Sequence, residues 1–166
     1  YGKAAGVPVL EPSDAQECKD YMVKAFDISE KYDTIVLLRS NTRISHSRGV
    51  VTIGTREERE KIPYQKNINK YVAMPAMAKQ LHIVQEKRMK QIACDADHMD
   101  INRAEMKDTK IGIITSGICY QYVKEALPEA SVLKMGMIYP LPAGMIRDFA
   151  SKVEKPVSYT HLTLPT

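Results

Sequence analysis

Two short apolar runs constrain this chain more than any other feature: Ile35-Val36-Leu37-Leu38 and Ile111-Gly112-Ile113-Ile114-Thr115. Each is too short to be a helix. A strand covered on both faces reads as a continuous apolar run, which is the pattern of a central strand in a parallel sheet. Each run also sits beside a helical pattern, so the chain reads as two separate α/β units.

In the first unit, Ser13 is expected to start a helix through a capping box with Gln16, and Glu17 adds first-turn negative charge. Cys18, Met22, Ala25 and Ser29 recur at helical spacing, with Tyr21, Phe26 and Ile28 beside them. The helix is expected to end near Lys31, and Asp33 and Thr34 make the turn into the apolar strand. Val50, Val51, Thr52 and Ile53 read as a second short strand closed by Gly54.

Residues 55–108 change character. They are charged, contain Pro63 and Pro75, and lack alternation. A helix is expected from Ala76 to about Cys94, with Met77, Leu81, Val84, Met89 and Ile92 on one face, followed by a loop over 95–108. In the second unit the 111–115 strand leads through Ser116-Gly117 into a helix. Its apolar side carries Cys119, Tyr122, Val123, Ala126 and Leu127, and Pro128 stops it. A strand over 131–135 follows. Pro140 and Pro142 then open a third helix with a stripe of Met145, Ile146, Phe149, Ala150 and Val153. The fold class is therefore α/β, in parts of two parallel-sheet domains (1–54 and 109–155) joined by a partly helical connector (55–108). Residues 156–166 lack charge and turn logic; they resemble translated read-through and are expected to be a non-native tail, so His161 is given no role. Tyr1 in place of Met gives the expectation of a chain cut at its front.

Composition narrows the function classes. The 166 residues include 24 Lys and Arg against 20 Asp and Glu, a net charge of +4. The densest cluster, Arg56-Glu57-Glu58-Arg59-Glu60-Lys61, alternates in sign and reads as a solvated face, not a nucleic-acid stripe. No run of 18 apolar residues exists, so no membrane span is expected. Cys18, Cys94 and Cys119 include no C-x-x-C pair. That excludes a self-contained cysteine-built metal or cluster site and fits a reducing cytoplasm. Each cysteine is expected to be a buried small hydrophobe. No metal site is expected: His82 and His98 lack partners at ligand spacing.

Ligands in open parallel sheets bind beyond the carboxyl ends of the strands. The polar loop from Arg39 to Arg48 falls there. Arg43 and Arg48 suit a carboxylate or phosphate, and His46 can exchange a proton near neutral pH. The same hydroxyls also suit a loop that satisfies only its own backbone. The turn at Ser116-Gly117 feeds a helix N-terminus, where an anion can sit. No phosphate-binding glycine loop of the G-x-x-x-x-G-K-[ST] or G-x-G-x-x-G kind is present. On residue types alone, a non-catalytic α/β scaffold or small-molecule-binding module stays open.

The wording of the chain adds a resemblance. Leu10-Glu11-Pro12-Ser13-Asp14-Ala15-Gln16-Glu17, then Thr42-Arg43-Ile44-Ser45-His46-Ser47-Arg48-Gly49, then Tyr71-Val72-Ala73-Met74-Pro75-Ala76-Met77-Ala78 occur in order. Gly112-Ile113-Ile114-Thr115-Ser116-Gly117, Tyr120-Gln121-Tyr122-Val123-Lys124-Glu125 and Tyr139-Pro140-Leu141-Pro142 follow. Residues 1 to about 155 thereby resemble the large (alpha) subunit of the indolepyruvate ferredoxin oxidoreductases. The resemblance implies a thiamine-diphosphate-dependent 2-oxoacid:ferredoxin oxidoreductase that also uses Mg²⁺ and [4Fe-4S] clusters. It implies a beta subunit and ferredoxin as partners, and coenzyme A and an aryl pyruvate as substrates. Decarboxylation of the oxoacid would yield an aryl-acetyl-CoA, with electrons passed to ferredoxin. Residues 1–54 would be the end of a pyrimidine-binding domain, and 109–155 the start of a transketolase C-terminal-like domain. The activating acid, the metal motif and the cluster motifs would all lie outside this stretch, leaving it inactive alone and without a confident catalytic residue. Thr42, Arg43, Ser45 and His46 would lie near the substrate or cofactor. A pyruvate or other 2-oxoacid enzyme is the nearest alternative.

Overall fold

The computed structural model describes residues 1–56, 58 and 62–160. The chain runs α1 (Gly2–Ala5), β1 (Val9–Leu10), α2 (Ala15–Tyr32), β2 (Leu37–Leu38), α3 (Thr42–His46), α4 (Ile68–Tyr71) and α5 (Pro75–Ala96). It continues through β3 (Arg103–Glu105), β4 (Asp108–Ser116), α6 (Ile118–Ala126), β5 (Ala130–Met135), β6 (Met137–Tyr139), α7 (Ala143–Ser151) and β7 (Lys155–Tyr159). It forms two sheets, as the two apolar runs required. The first has the order β2-β1-β6 and the second β3-β5-β4-β7.

The second sheet is built as the pattern predicts. β4 lies parallel to both β5 and β7. Its period-two alternation sends Ile113 and Val132 under α6, against Tyr120 and Val123. Leu133 and Met135 face the other way, against Phe149 and Val153 at α7. Gly112 lets α7 come close: a Cβ there would lie 2.6 Å from Val153. The 103–105 stretch, expected as loop, is an antiparallel edge strand against β5. Three residues are too few to show alternation. β7 takes up residues 155–159, the stretch that opens the expected tail. Residues 161–166 lie outside the described residues.

The first sheet departs further from expectation. β1 and β2 are parallel, but β2 is an edge strand, with Ile35 69% exposed. An apolar run was read as burial on both faces; here the run lies at the sheet's margin. The expected strand at 50–53 is absent, and Val50 is 99% exposed. Side chains of α2 take its backbone groups instead: Thr52 N–H donates to Gln16 Oε1 at 2.7 Å, and Lys19 Nζ donates to the Thr52 carbonyl at 2.8 Å. With those groups satisfied, no strand partner is needed. The third strand is β6, antiparallel to β1 and supplied by the second unit.

The start of α2 lies one residue later than expected. Asp14 is the cap, accepting from Glu17 N–H at 2.8 Å. The Glu17 carboxylate reaches back to the Ser13 amide and hydroxyl, both at 2.8 Å. The buried face is Glu17, Tyr21, Ala25 and Ile28, not the Cys18–Met22 row. Tyr21, Ala25 and Ile28 pack with Leu10, Met89, Ile92, Ala96 and Met137. α5 therefore buries only its second half, and Val84, expected on its apolar face, is 50% exposed. On α6 the buried residues are Cys119, Tyr120 and Val123, while Tyr122 and Leu127 are exposed. Cys18 is half-buried and Cys94 exposed, so only Cys119 is the buried hydrophobe expected of all three.

Candidate functional site

The polar loop after β2 is ordered by its own side chains. Asn41 caps α3 by accepting from Ile44 N–H at 2.9 Å, and Ile44 is buried and pins the helix. Ser40 and Ser45 share a hydroxyl hydrogen bond of 2.8 Å. Thr42, Arg43, Ser45 and His46 are left exposed.

Two of these four reach a cleft of about 330 Å³. Asn41, Thr42 and Arg43 form one wall, Ile118, Cys119 and Tyr122 of α6 the other, and Tyr159 and Thr160 close one end. The structure thus brings the α3 residues to the helix that begins just after Ser116-Gly117, the second expected site. Ser45 and His46 do not line the cleft, and Arg48 is exposed outside it. Among the described residues, no carboxylate pairs with Arg43. The side-chain amide nitrogen of Asn41 is buried without a partner. Burial first, and the negative charge of Glu11 second, push the Cys119 thiol above the ordinary range, which disfavours its thiolate.

The Ser116-Gly117 turn holds a carboxylate already. Glu11, at the end of β1 and 1% exposed, accepts from Ser116 Oγ at 2.8 Å and from Arg39 Nη2 at 2.8 Å. Neither Glu11 nor Arg39 was singled out from sequence. Their signal was position alone: each directly follows a short parallel strand. Asn41, Tyr122 and Tyr159 were also missed, because they converge only through the tertiary fold.

A larger hollow of about 830 Å³ lies between the end of α2 and α5. Two of its cations share one carboxylate: Lys70 donates to Asp33 at 2.5 Å, and Arg88 lies 3.8 Å from the same carboxylate. Among the described residues, no group of His, Cys, Asp and Glu could hold a metal ion, and no helix is long and apolar enough to cross a membrane.

No family model matches the chain. It is 39% identical over 162 residues to indolepyruvate oxidoreductase subunit IorA of Methanothermobacter thermautotrophicus, and 42% identical over 161 residues to that of Methanothermobacter marburgensis. Each match takes in 93% of this chain and 26% of the relative, so the chain spans about a quarter of the length of these relatives. Among solved structures, a 2-oxoglutarate:ferredoxin oxidoreductase from Magnetococcus marinus, with 2-oxoglutarate, coenzyme A and succinyl-CoA bound, superposes with a TM-score of 0.63 at 17% identity. It matches 92% of this chain and 34% of that one. The fold of this chain, with its two sheets containing parallel strands, is thus that of the 2-oxoacid:ferredoxin oxidoreductase structure, and over nearly its whole length its sequence is similar to about one quarter of indolepyruvate oxidoreductase subunit IorA.

Proposed function

We propose that this chain is a segment of the large subunit of an indolepyruvate:ferredoxin oxidoreductase, an enzyme that converts an aryl pyruvate to its aryl-acetyl-CoA and passes electrons to ferredoxin. The identity of 39–42% to subunit IorA over 93% of the chain carries this reading. In it, residues 1–54 end a pyrimidine-binding domain, 55–108 connect, and 109–155 begin a transketolase C-terminal-like domain. The chain works in the cytoplasm with a beta subunit and ferredoxin.

The cleft between α3 and α6 is where this segment would meet substrate. Arg43 offers an unpaired guanidinium and Asn41 an unpaired amide, donors that suit a carboxylate or a phosphate. Both chemistries belong to the reaction class, since an oxoacid carries the first and coenzyme A the second. Thr42 lines the same wall, while Ser45 and His46 do not line the cleft. The Arg43 side chain would orient the anionic group, and the apolar Ile118 and Tyr122 would exclude water around it.

The Mg²⁺ and [4Fe-4S] clusters of such an enzyme do not fit the residues described here, and its thiamine diphosphate would not be fully bound by this segment. The three cysteines sit on three different helices, and among the described residues no cluster of potential metal ligands forms. No catalytic step is assigned to this segment. Its part is to bind and orient.

A second reading, an enzyme for another 2-oxoacid, is favoured by one observation: the solved neighbour carries 2-oxoglutarate. One assay separates the two. The full-length subunit that carries this sequence, assembled with its beta subunit, is offered indolepyruvate, pyruvate and 2-oxoglutarate with coenzyme A and a viologen dye. Dye reduction fastest with indolepyruvate is expected. Preference for another oxoacid selects the second reading, and no reduction with any of them overturns both.

A further inference from the structure

At the N-terminus of α6, a buried carboxylate from a distant strand is seated against a turn that glycine suits. Gly117 has φ 55°, in the left-handed region, and a Cβ there would stand 2.9 Å from the Glu11 carboxyl carbon and Oε1. Gly117 thus lets the Glu11 carboxylate reach the backbone at the start of the helix. Glu11 is held from both sides. Its backbone N–H donates to the Gly136 carbonyl at 2.8 Å, and its carboxylate takes Ser116 Oγ and Arg39 Nη2. A helix N-terminus attracts an anion through its free N–H groups and its dipole. Here a carboxylate, a cation and a hydroxyl donor are already in place around one.

We propose that Glu11 is a built-in ligand of the α6 N-terminus, an internal anion that bars a substrate carboxylate or phosphate from the Ser116-Gly117 turn and so confines it to the Arg43 side of the cleft. The raised thiol of Cys119, in the first turn of α6, is consistent with this: Glu11 contributes to it through its negative charge. The clause about Arg43 rests on the proposed anion-binding role of the cleft; the clause about Glu11 stands without it. Specificity then follows from exclusion: with its own carboxylate seated, the turn adds nothing to the affinity for an external anion. Arg39 is neutralised by the same carboxylate, which leaves Arg43 as the cation available in the cleft.

The test is chemical replacement. Glu11→Ala removes the carboxylate and opens its space. Its thermal midpoint is measured in sodium acetate and in sodium chloride at equal ionic strength. Acetate is expected to raise the midpoint saturably, by about 4 °C near saturation, while the unsubstituted chain melts alike in both salts. Glu11→Gln fills the same space and is expected to show no acetate effect. Acetate acting equally on the unsubstituted chain, or failing to act on Glu11→Ala, overturns the proposal. Should Glu11→Ala not fold in chloride, the soluble fraction recovered on refolding in acetate is read instead; a rise supports the proposal and no rise overturns it. In the unsubstituted chain, inorganic phosphate is expected to leave the backbone amide resonances of residues 117–120 unmoved, and movement there overturns the proposal. The Arg43 side-chain resonance in the same titration tests the cleft separately, so the two readings fail independently.

Discussion

Lys134 on β5 and Glu17 on α2 form an ion pair closed to water, with no exposed surface on the lysine side chain and 11% on the glutamate's. Lys134 also donates to the Tyr21 hydroxyl, and Arg103 Nη1 donates to Glu17 Oε1 at 3.0 Å. Burial alone would push the Glu17 carboxyl up; the ammonium of Lys134 and the Ser13 donors outweigh it and hold it below its ordinary value. Burial pushes the Lys134 ammonium down against the pull of Glu17. The pair joins the helix packed on the first sheet to the middle of the second.

Removing one partner leaves the other charge buried and uncompensated, which costs more than the pair itself contributes. Lys134→Met is expected to destabilise the chain by about 3 kcal/mol in urea unfolding, since Arg103 still serves Glu17. The double substitution with Glu17→Gln should recover a good part of that. A double variant no more stable than Lys134→Met would mean the loss came from packing instead of charge.

Stability should fall in acid over a defined window. Glu105 bonds to Lys124 at 2.6 Å, Tyr120 at 2.7 Å and Arg103 at 3.3 Å. Burial opposes ionisation, but these donors outweigh it and bring the carboxyl to about 2, from an ordinary 4.5. A carboxyl depressed in the folded state contributes stability above its unfolded value and loses it as the pH drops toward its folded one. Glu105 therefore supports the fold fully above about pH 5 and loses that support between about pH 4.5 and 2; Glu17, also held below its ordinary value, acts in the same direction. Unfolding measured across this range should steepen downward, and Glu105→Gln should flatten the slope. An unchanged slope in that variant would remove Glu105 from the account.

The start of α7 is capped from a distance. Its own cap position is Pro142, which has no side-chain acceptor, and Asp97 Oδ1 accepts from Met145 N–H at 2.9 Å instead. Asp97→Ala should cost about 1 kcal/mol, and Asp97→Asn, which keeps the acceptor, clearly less. Equal losses in the two would point to charge, not to the hydrogen bond.

Arg43→Ala, in the enzyme assembled from full-length subunits, should raise KM for the anionic substrate it meets by about tenfold and leave kcat within a small factor. His46→Ala should change neither strongly, because His46 lies outside the cleft lining. Unchanged kcat/KM for both oxoacid and coenzyme A in Arg43→Ala would make the α3 loop structural only.

The second sheet was legible because its signals are local: a five-residue apolar run, a helix stopped by Pro128 and a stripe ending at Val153 all act over a few residues. The first sheet was not. Ile35 and Leu37 look the same at an edge as at a centre, since composition records the demand for burial and not the neighbour that meets it. The true core face of α2 was obscured because it opens on Glu17 and Tyr21, polar groups buried only by virtue of Lys134, 117 residues away. The site was half legible for the same reason. Arg43 and the Ser116-Gly117 turn carried their own chemistry, whereas Glu11 acquires its role only when β1 is brought beside β4's end.

One strand has a consequence for assembly. β6 leaves the second sheet at Gly136, where Asn102 Oδ1 accepts both the Gly136 and Met137 N–H groups, and pairs Val9 with Tyr139 and Leu10 with Met137. β1 therefore cannot complete its sheet until β6, far along the sequence, has been made. During synthesis β1 must wait, exposed beside α2, for a partner about 130 residues behind it, and such long-range closure slows folding. The two sheets are in that sense kinetically one unit: the second has to form for the first to be finished.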